Sequence, residues 1–308
     1  MIRELWGKPF PCSQSYPLSF RKIPMRGLLP YLLFFVIPTL FLVFGSMYLL
    51  HRKIGRTRAP VREKMPRPPG ESLRQKIEDF DDQTIQWLLL ALIVPLLMGI
   101  TVLHGQGSKL FSIGIGMLIA YPICLFGIAR MSSTLTERRN HWLGYRGERF
   151  VGRLLEDLRV DGYLVFHDIP FDGFNIDHAL VGPAGVFAIE TKTRRKKNTG
   201  KNGALQKVLF DGKTLKSPDW EDAHGIEQAQ RNARHLANTL SKATGEKVMA
   251  VPVLVLPGWW VERTTLEPVR VLNPKEVLTH VRKQRPILSD KQVSQISYQL
   301  AQMTEIEF

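Results

Sequence analysis

The sequence predicts a mixed α/β domain set behind about three membrane-spanning helices. Three observations carry this. Residues 28–50, 85–103 and 110–128 are charge-free apolar runs. Two short apolar strands, joined by the turn Gly182-Pro183-Ala184-Gly185, hold an acid each, with a lysine just past the second acid. From about residue 141 onward, helical and strand-like periodicities alternate.

The runs set the domain plan: an N-terminal tail over 1–27, a transmembrane helix over 28–50, a basic cytoplasmic linker over 51–84, a transmembrane helical hairpin over 85–128 and a soluble domain over 129–308. At about 1.5 Å per residue, the first run can cross a hydrocarbon core of about 30 Å. His104-Gly105-Gln106-Gly107-Ser108-Lys109 separates the two later runs tightly enough for a hairpin. Pro38, Pro95 and Pro122 are tolerated in membrane helices. A cleaved signal is disfavoured, because the first run is long and no small-residue cleavage site follows it. Buried core helices of a soluble protein are the weaker reading of three such runs.

Arg52, Lys53, Arg56, Arg58, Arg62, Lys64 and Arg67 crowd the linker, whereas the short hairpin loop holds only Lys109. Arg130, Arg138 and Arg139 follow the third run. The positive-inside rule then places the linker and everything after residue 129 in the cytoplasm, in a multi-pass protein of the cell (inner) membrane. Arg21, Lys22 and Arg26 argue mildly against the outward N-terminus this requires. Pro60, Pro66, Pro68, Pro69 and Gly70 make residues 55–72 read as irregular.

The net charge is +14 and the pI about 9.9, which favours acidic partners, nucleic acid or anionic lipid. Residues 1–129 carry 15 basic and 7 acidic side chains, so +8 of the excess lies beside the apolar runs. Charge alone is therefore a weak argument for nucleic acid. Cys12 and Cys124 are the only cysteines, and no disulfide framework is expected.

In the soluble domain, Phe150, Val151, Leu154, Leu155 and Leu158 recur at helical spacing over 141–160. Glu148 lies on the same stripe. It is either a first-turn acid favoured by the helix dipole or a third carboxylate near a site. Gly144 and Gly147 allow close backbone approach. Residues 163–169 read as a strand, and the two acid-bearing strands follow. A helix over about 225–242 carries Gln228, Ala229, Asn232, Leu236 and Leu240. Residues 248–256 read as a buried strand. Trp259 and Trp260 fit core packing better than base stacking or a membrane interface. Asn273, Pro274 and Glu276 resemble a capped helix start. The order is helix, three strands, helix, strand, helix.

The chemistry concentrates on the paired strands. Alternate strand residues share a face, so Glu190 and Lys192 point the same way as Val186 and Ala188. Core packing does not require a carboxylate and an ammonium there. A divalent metal held by Asp177 and Glu190, with Lys192 managing a water or a phosphate, explains the pattern economically. His178 falls on the opposite face from Asp177 and reads as structural. The run Arg194, Arg195, Lys196, Lys197 is a solvated loop by default, and its place after the acid strand also suits phosphate contact. No phosphate-binding Gly-rich Lys-Ser/Thr loop, two-histidine zinc helix or paired-cysteine zinc motif is present.

Gly147-Glu148-Arg149-Phe150-Val151, Val165-Phe166-His167-Asp168-Ile169, Asn175-Ile176-Asp177-His178, Val181 to Lys192, and Glu227-Gln228-Ala229-Gln230-Arg231-Asn232-Ala233 together resemble the nuclease-related domain (NERD) family over about 141–260. That family resembles the PD-(D/E)xK restriction-endonuclease-like fold. The resemblance implies a core of helix, mixed β-sheet and helices, with Asp177 and Glu190 as ligands of Mg²⁺ (or Mn²⁺). It implies Lys192 as the group that orients or activates the attacking water, Glu148 as an accessory acid, and Gln228 reaching toward the site. Ile176 stands where a loosely kept proline would precede Asp177. The partners expected are nucleic acid, above all DNA, the membrane, and a second copy in a homodimer where both strands are cut. The expected function is a membrane-anchored, metal-dependent nuclease. The alternatives are a catalytically silent nucleic-acid-binding or scaffold domain at the membrane, and a membrane structural protein whose basic loops bind anionic lipid.

Overall fold

The computed structural model describes residues 64–104, 109–196 and 207–307. The chain divides into two units, Met1–Arg58 with Pro95–Tyr121, and Ala59–Val94 with Pro122–Phe308. The described part of the first unit is helical. All sheets lie in the second.

Helix α1 is Glu71–His104 and α2 is Lys109–Leu155. Among the described residues, one stretch, Met117–Asp161, is long and apolar enough to cross a membrane by length and composition. The expectation of about three such helices is thus not reproduced. The run at 28–50 lies outside the described residues, as do 105–108 of the hairpin loop. The boundary expected at 129 falls inside α2, which continues unbroken to Leu155. The Thr134 and Thr136 hydroxyls fold back onto the carbonyls of Arg130 and Ser132 at 3.0 and 2.9 Å and leave the helix intact. The linker expected over 51–84 also differs. Residues 64–66 form strand β1 and α1 begins at Glu71. Neither was legible locally, because both are held by distant partners.

The main sheet has the order β10-β8-β4-β3-β2. Its strands are β2 (Leu164–Phe171), β3 (Phe174–Gly182), β4 (Gly185–Thr191), β8 (Ala250–Val255) and β10 (Arg270–Leu272). The first three form an antiparallel meander, and β4, β8 and β10 run parallel. Every residue of β4 is buried, as expected of a strand covered on both faces. The β3–β4 turn pairs Gly182 with Gly185, whose φ of +117° needs a glycine.

Strand alternation divides the core. Leu180, Phe187, Ile189, Val253 and Val255 pack on Val151, Leu155 and Leu158 at the α2 end and on Val277 and Val281 of α4 (Pro274–Arg282). On the other face, Ala179, Val181, Val186 and Ala188 meet Ala233, Leu236 and Leu240 of α3 (His224–Thr244) and Ile296 and Leu300 of α5 (Asp290–Thr304). Each fully buried leucine or isoleucine contributes about 1.5–3 kcal/mol relative to exposure. The Asn273 cap forms as the sequence indicates: its Oδ1 accepts from Glu276 N at 3.0 Å, and Glu276 Oε2 accepts from Asn273 N at 3.0 Å. Ser289 caps α5 in the same way.

A second sheet, of order β7-β6-β5-β9, was not anticipated. Its strands are β5 (Lys207–Phe210), β6 (Leu215–Ser217), β7 (Trp220–Asp222) and β9 (Trp260–Arg263). At three or four residues each they are too short to display a period. The adjacent tryptophans divide: Trp259 is buried at 3% exposure and Trp260 is 61% exposed. Strand β1 pairs antiparallel with β11 (Glu305–Glu307) at the end of the chain.

His178 is fully buried on the face opposite Asp177. Its Nδ1 lies 2.9 Å from Nδ1 of His167, whose Nε2 lies 3.0 Å from Glu156 Oε1. Burial pulls both imidazoles below their usual range, His178 furthest. Below about pH 6.5 the unfolded chain then binds more protons than the folded one. This pair's stability is complete above that pH and is lost as the pH falls. Thermal melts from pH 8 to 5 should show the unmodified chain losing more stability on acidification than His178→Gln. Parallel profiles would refute a neutral buried pair.

Candidate active site

Strand ends deliver the acids. Asp177 stands in β3, and its Oδ2 accepts a hydrogen bond from the backbone N of Thr191, at the end of β4, at 2.6 Å. Glu190, 3% exposed, also comes from β4. Its Oε1 lies 2.9 Å from Lys192 Nζ, and its Oε2 accepts from Asn232 Nδ2 at 2.9 Å. Lys192 Nζ donates also to Gln228 Oε1 at 2.7 Å. Gln228 and Asn232 are four residues apart and share one face of α3. Past β4 the chain stays on the sheet, because Lys192 N donates to Val255 O at 2.9 Å.

Glu148 enters from α2 and is 7% exposed. Gly147 makes this approach possible. A Cβ there would stand 1.8 Å from Thr193 Oγ1, so the helix can touch the strand end only without a side chain. The alignment of α2 that carries Glu148 thus depends on its neighbour.

Asp168 and Asp177 would face each other across the β2–β3 ladder, yet the pairing skips from His167↔His178 to Ile169↔Ile176. Asp168 adopts φ +48°, a left-handed conformation that Asp tolerates better than most residues. Like charges directly opposite are unfavourable, and this turn carries Asp168 out of register. Its carboxylate, 1% exposed, accepts from Arg67 Nε at 2.8 Å, Ser72 N at 3.1 Å, Ser72 Oγ at 2.5 Å and Asn175 Nδ2 at 3.0 Å.

The remaining three acids are poorly compensated. Burial pushes Glu148 up to about 8, helped by the negative charges of Asp168 and Glu190 and opposed by Lys192 and Lys76. Burial likewise raises Asp177 well above the carboxylate range, reinforced by Glu148 and Glu190. Glu190 is raised by burial and partly restored by Lys192 and Asn232. Among the described residues, no group of three or more His, Cys, Asp and Glu side chains is arranged to hold a metal ion. The acids available to a cation are therefore the pair Asp177 and Glu190, with Glu148 at charge-coupling range. Thr191 Oγ1, Thr193 Oγ1 and Asn232 Oδ1 are buried beside them without hydrogen-bond partners.

Asp177, Glu190, Lys192, Glu148 and Gln228 line one cleft of about 800 Å³. Of the basic run, the described members Arg194, Arg195 and Lys196 are not among the residues that line it. The Arg194 guanidinium pairs with Asp222 Oδ2 at 2.5 Å and lies 5.2 Å from the Trp220 ring. Arg195 donates to Asn140 Oδ1 at 3.2 Å, and Lys196 Nζ lies 5.5 Å from the Trp259 ring. The Trp220 ring in the second sheet and the Trp259 ring just before β9 hold Arg194 and Lys196 outside the lining of the cleft. Lys197 lies outside the described residues. Sequence reasoning missed three neighbours of the site: Asn232 as a donor to Glu190, Asp168 as a clamp, and the first turns of α1 as a wall. Only Asn232 had a usable signal, its four-residue spacing from Gln228.

An uncharacterized protein of Bacillus anthracis is 31% identical over 81 residues, which is 25% of this chain. The chain spans 38% of that protein's length. No solved structure matches the chain. The family model of the nuclease-related domain matches residues 143–257, the stretch that supplies Glu148, Asp177 and Glu190, and supports placing that stretch in the NERD family.

Proposed function

We propose that the chain is a metal-dependent nuclease that hydrolyses phosphodiester bonds of DNA at the cytoplasmic face of the cell membrane, anchored there by its apolar runs. One observation carries this reading. Glu148, Asp177 and Glu190 converge with Lys192 and Gln228 in one cleft, where burial, with repulsion from neighbouring acids at Glu148 and Asp177, raises their carboxyl pKa values, a pattern that clusters at functional sites.

The donor set suits a hard divalent cation. Asp177 and Glu190 are oxygen donors, and a cation that keeps several waters needs only one or two carboxylates from the protein. Mg²⁺ or Mn²⁺ bound there would supply charge neutralisation on the phosphate and lower the pKa of a water. The chain's own groups do the rest. Thr191 N fixes one Asp177 oxygen, and Asn232 fixes one Glu190 oxygen, so both carboxylates are held before substrate arrives. Gln228 and Glu190 hold the Lys192 ammonium. From there it can orient a water for in-line attack on phosphorus and stabilise the negative charge that develops on the phosphoryl oxygens. Glu148, with its raised pKa, can hold or release a proton near neutral pH.

The test uses the full chain in detergent micelles, given plasmid, linear and branched DNA with Mg²⁺, with Mn²⁺ or with chelator. Metal-dependent cleavage that disappears in the double variant Glu190→Ala, Lys192→Ala is expected. DNA binding without cleavage under every condition would replace this reading with a silent binding domain.

A further inference from the structure

We propose that the first turns of α1, ahead of the apolar run, form a subsite for the backbone phosphates of the nucleic-acid substrate, with Lys76 as its cation. This rests on the nucleic-acid reading above and adds to it a binding wall outside the matched stretch 143–257.

Ser72, Leu73, Gln75, Lys76 and Asp79 line the same cleft as the carboxylates. The wall they form is fixed to the sheet. Asp168 accepts from Ser72 N, the second residue of α1, and from the Ser72 hydroxyl, and so caps the helix from across the fold. Arg67 closes the clamp on the same carboxylate. Just upstream, β1 pairs with β11, and Arg67 N donates to Thr304 O at 2.9 Å. Ile77, 5% exposed, is buried beside Lys76.

Lys76 is then presented to the cleft on a rigid element. It is exposed, and among the described residues it has no ion pair or hydrogen bond. Its charge reaches the site, since it draws down the pKa of Glu148. The other cations that line the cleft are engaged: Lys192 by Glu190 and Gln228, Arg67 by Asp168. Arg194 and Lys196 are turned onto Trp220 and Trp259. Among the described residues that line the cleft, Lys76 is thus the cation left for a phosphate next to the scissile one. Asp79 is the one acid on this wall, and it lies a turn away along the helix. A lysine on a phosphate carries no base information, so the subsite would secure the strand without choosing its sequence.

The experiment measures binding of labelled duplex and single-stranded DNA to the full chain in detergent micelles, with chelator to prevent cleavage, across a salt series. Lys76→Ala should weaken binding about five- to ten-fold near 0.1 M salt and reduce the salt slope by about 1. Lys76→Arg should restore most of both. Lys242→Ala, an exposed lysine in the last turn of α3, should leave both unchanged. Equal loss from Lys242→Ala, or no change in affinity and slope from Lys76→Ala, would overturn the subsite. If the chain binds DNA with a Lys76-dependent slope yet never cleaves, the subsite stands and the nuclease reading falls. If the unmodified chain binds no DNA at any salt, both fall.

Discussion

Glu190→Gln is expected to cut metal-dependent cleavage by about 10²–10³-fold while raising the melting temperature of the metal-free protein. The two effects have one cause. Glu190 is 3% exposed, and burial disfavours its charge more than Lys192 and Asn232 can recover. A neutral amide removes that cost and relieves the repulsion on Glu148 and Asp177, which both feel the Glu190 charge. The shape is kept. Lys192 can still donate to the amide oxygen, and a flip of the Asn232 amide turns its unpartnered carbonyl oxygen toward the amide nitrogen that the substitution introduces, where it can accept. Lys192 retains partial solvent access, so it is not left as a stranded buried charge. The expected gain is about 1–3 kcal/mol, within the range seen when buried charges are replaced by neutral groups of similar size. Cleavage rates on plasmid DNA and melts in chelator measure the two halves. A variant that melts several degrees lower would contradict the electrostatic account, and one that cleaves within ten-fold of the parent would remove Glu190 from the chemistry.

Asp168→Ala is expected to cost about 3–5 kcal/mol, the largest stability loss among these substitutions. The carboxylate gathers four donors from three segments: Arg67, the Ser72 backbone and hydroxyl, and Asn175. Its loss leaves the Arg67 charge, 16% exposed, without its partner and the start of α1 uncapped. Alanine also tolerates φ +48° poorly, adding about 1–2 kcal/mol of backbone strain. Asp168→Asn should be milder, since asparagine adopts that conformation and can still accept from Ser72. Chemical denaturation of the full chain measures the cost, and limited proteolysis over residues 64–79 reports release of the wall. A loss below 1 kcal/mol, with no new cleavage there, would show that α1 is held by something else.

The site was largely legible because strands announce themselves over few residues. Asp177, Glu190 and Lys192 stand in or beside alternating apolar runs, and alternation alone decides that Glu190 shares the face of Val186 and Ala188 toward α3. Gln228 and Asn232 were readable as one helical face, and Gly147 as a point of close approach. His178 fell opposite Asp177 for the same reason of period.

The phosphate-binding role expected of Arg194 to Lys197 met a different environment. A run of cations carries no direction in sequence: Trp220 and Asp222 of β7 and Trp259, just before β9, set where Arg194 and Lys196 point, and Asn140 of α2 holds Arg195. The same limit applies at the other wall. Residues 51–84 read as a basic linker, because nothing within a few positions indicates that a helix starts at Glu71 and that Asp168, about a hundred residues on, caps it.

By itself, the sequence determined the central strands β2, β3, β4 and β8, the covering helices other than α5, and the identity of the acid, lysine and glutamine cluster, since period and residue type act over one or two turns. Only the tertiary structure decided what walls the cleft and which cations face it. Those depend on hydrogen bonds and aromatic contacts between segments far apart in the chain, which no local pattern encodes.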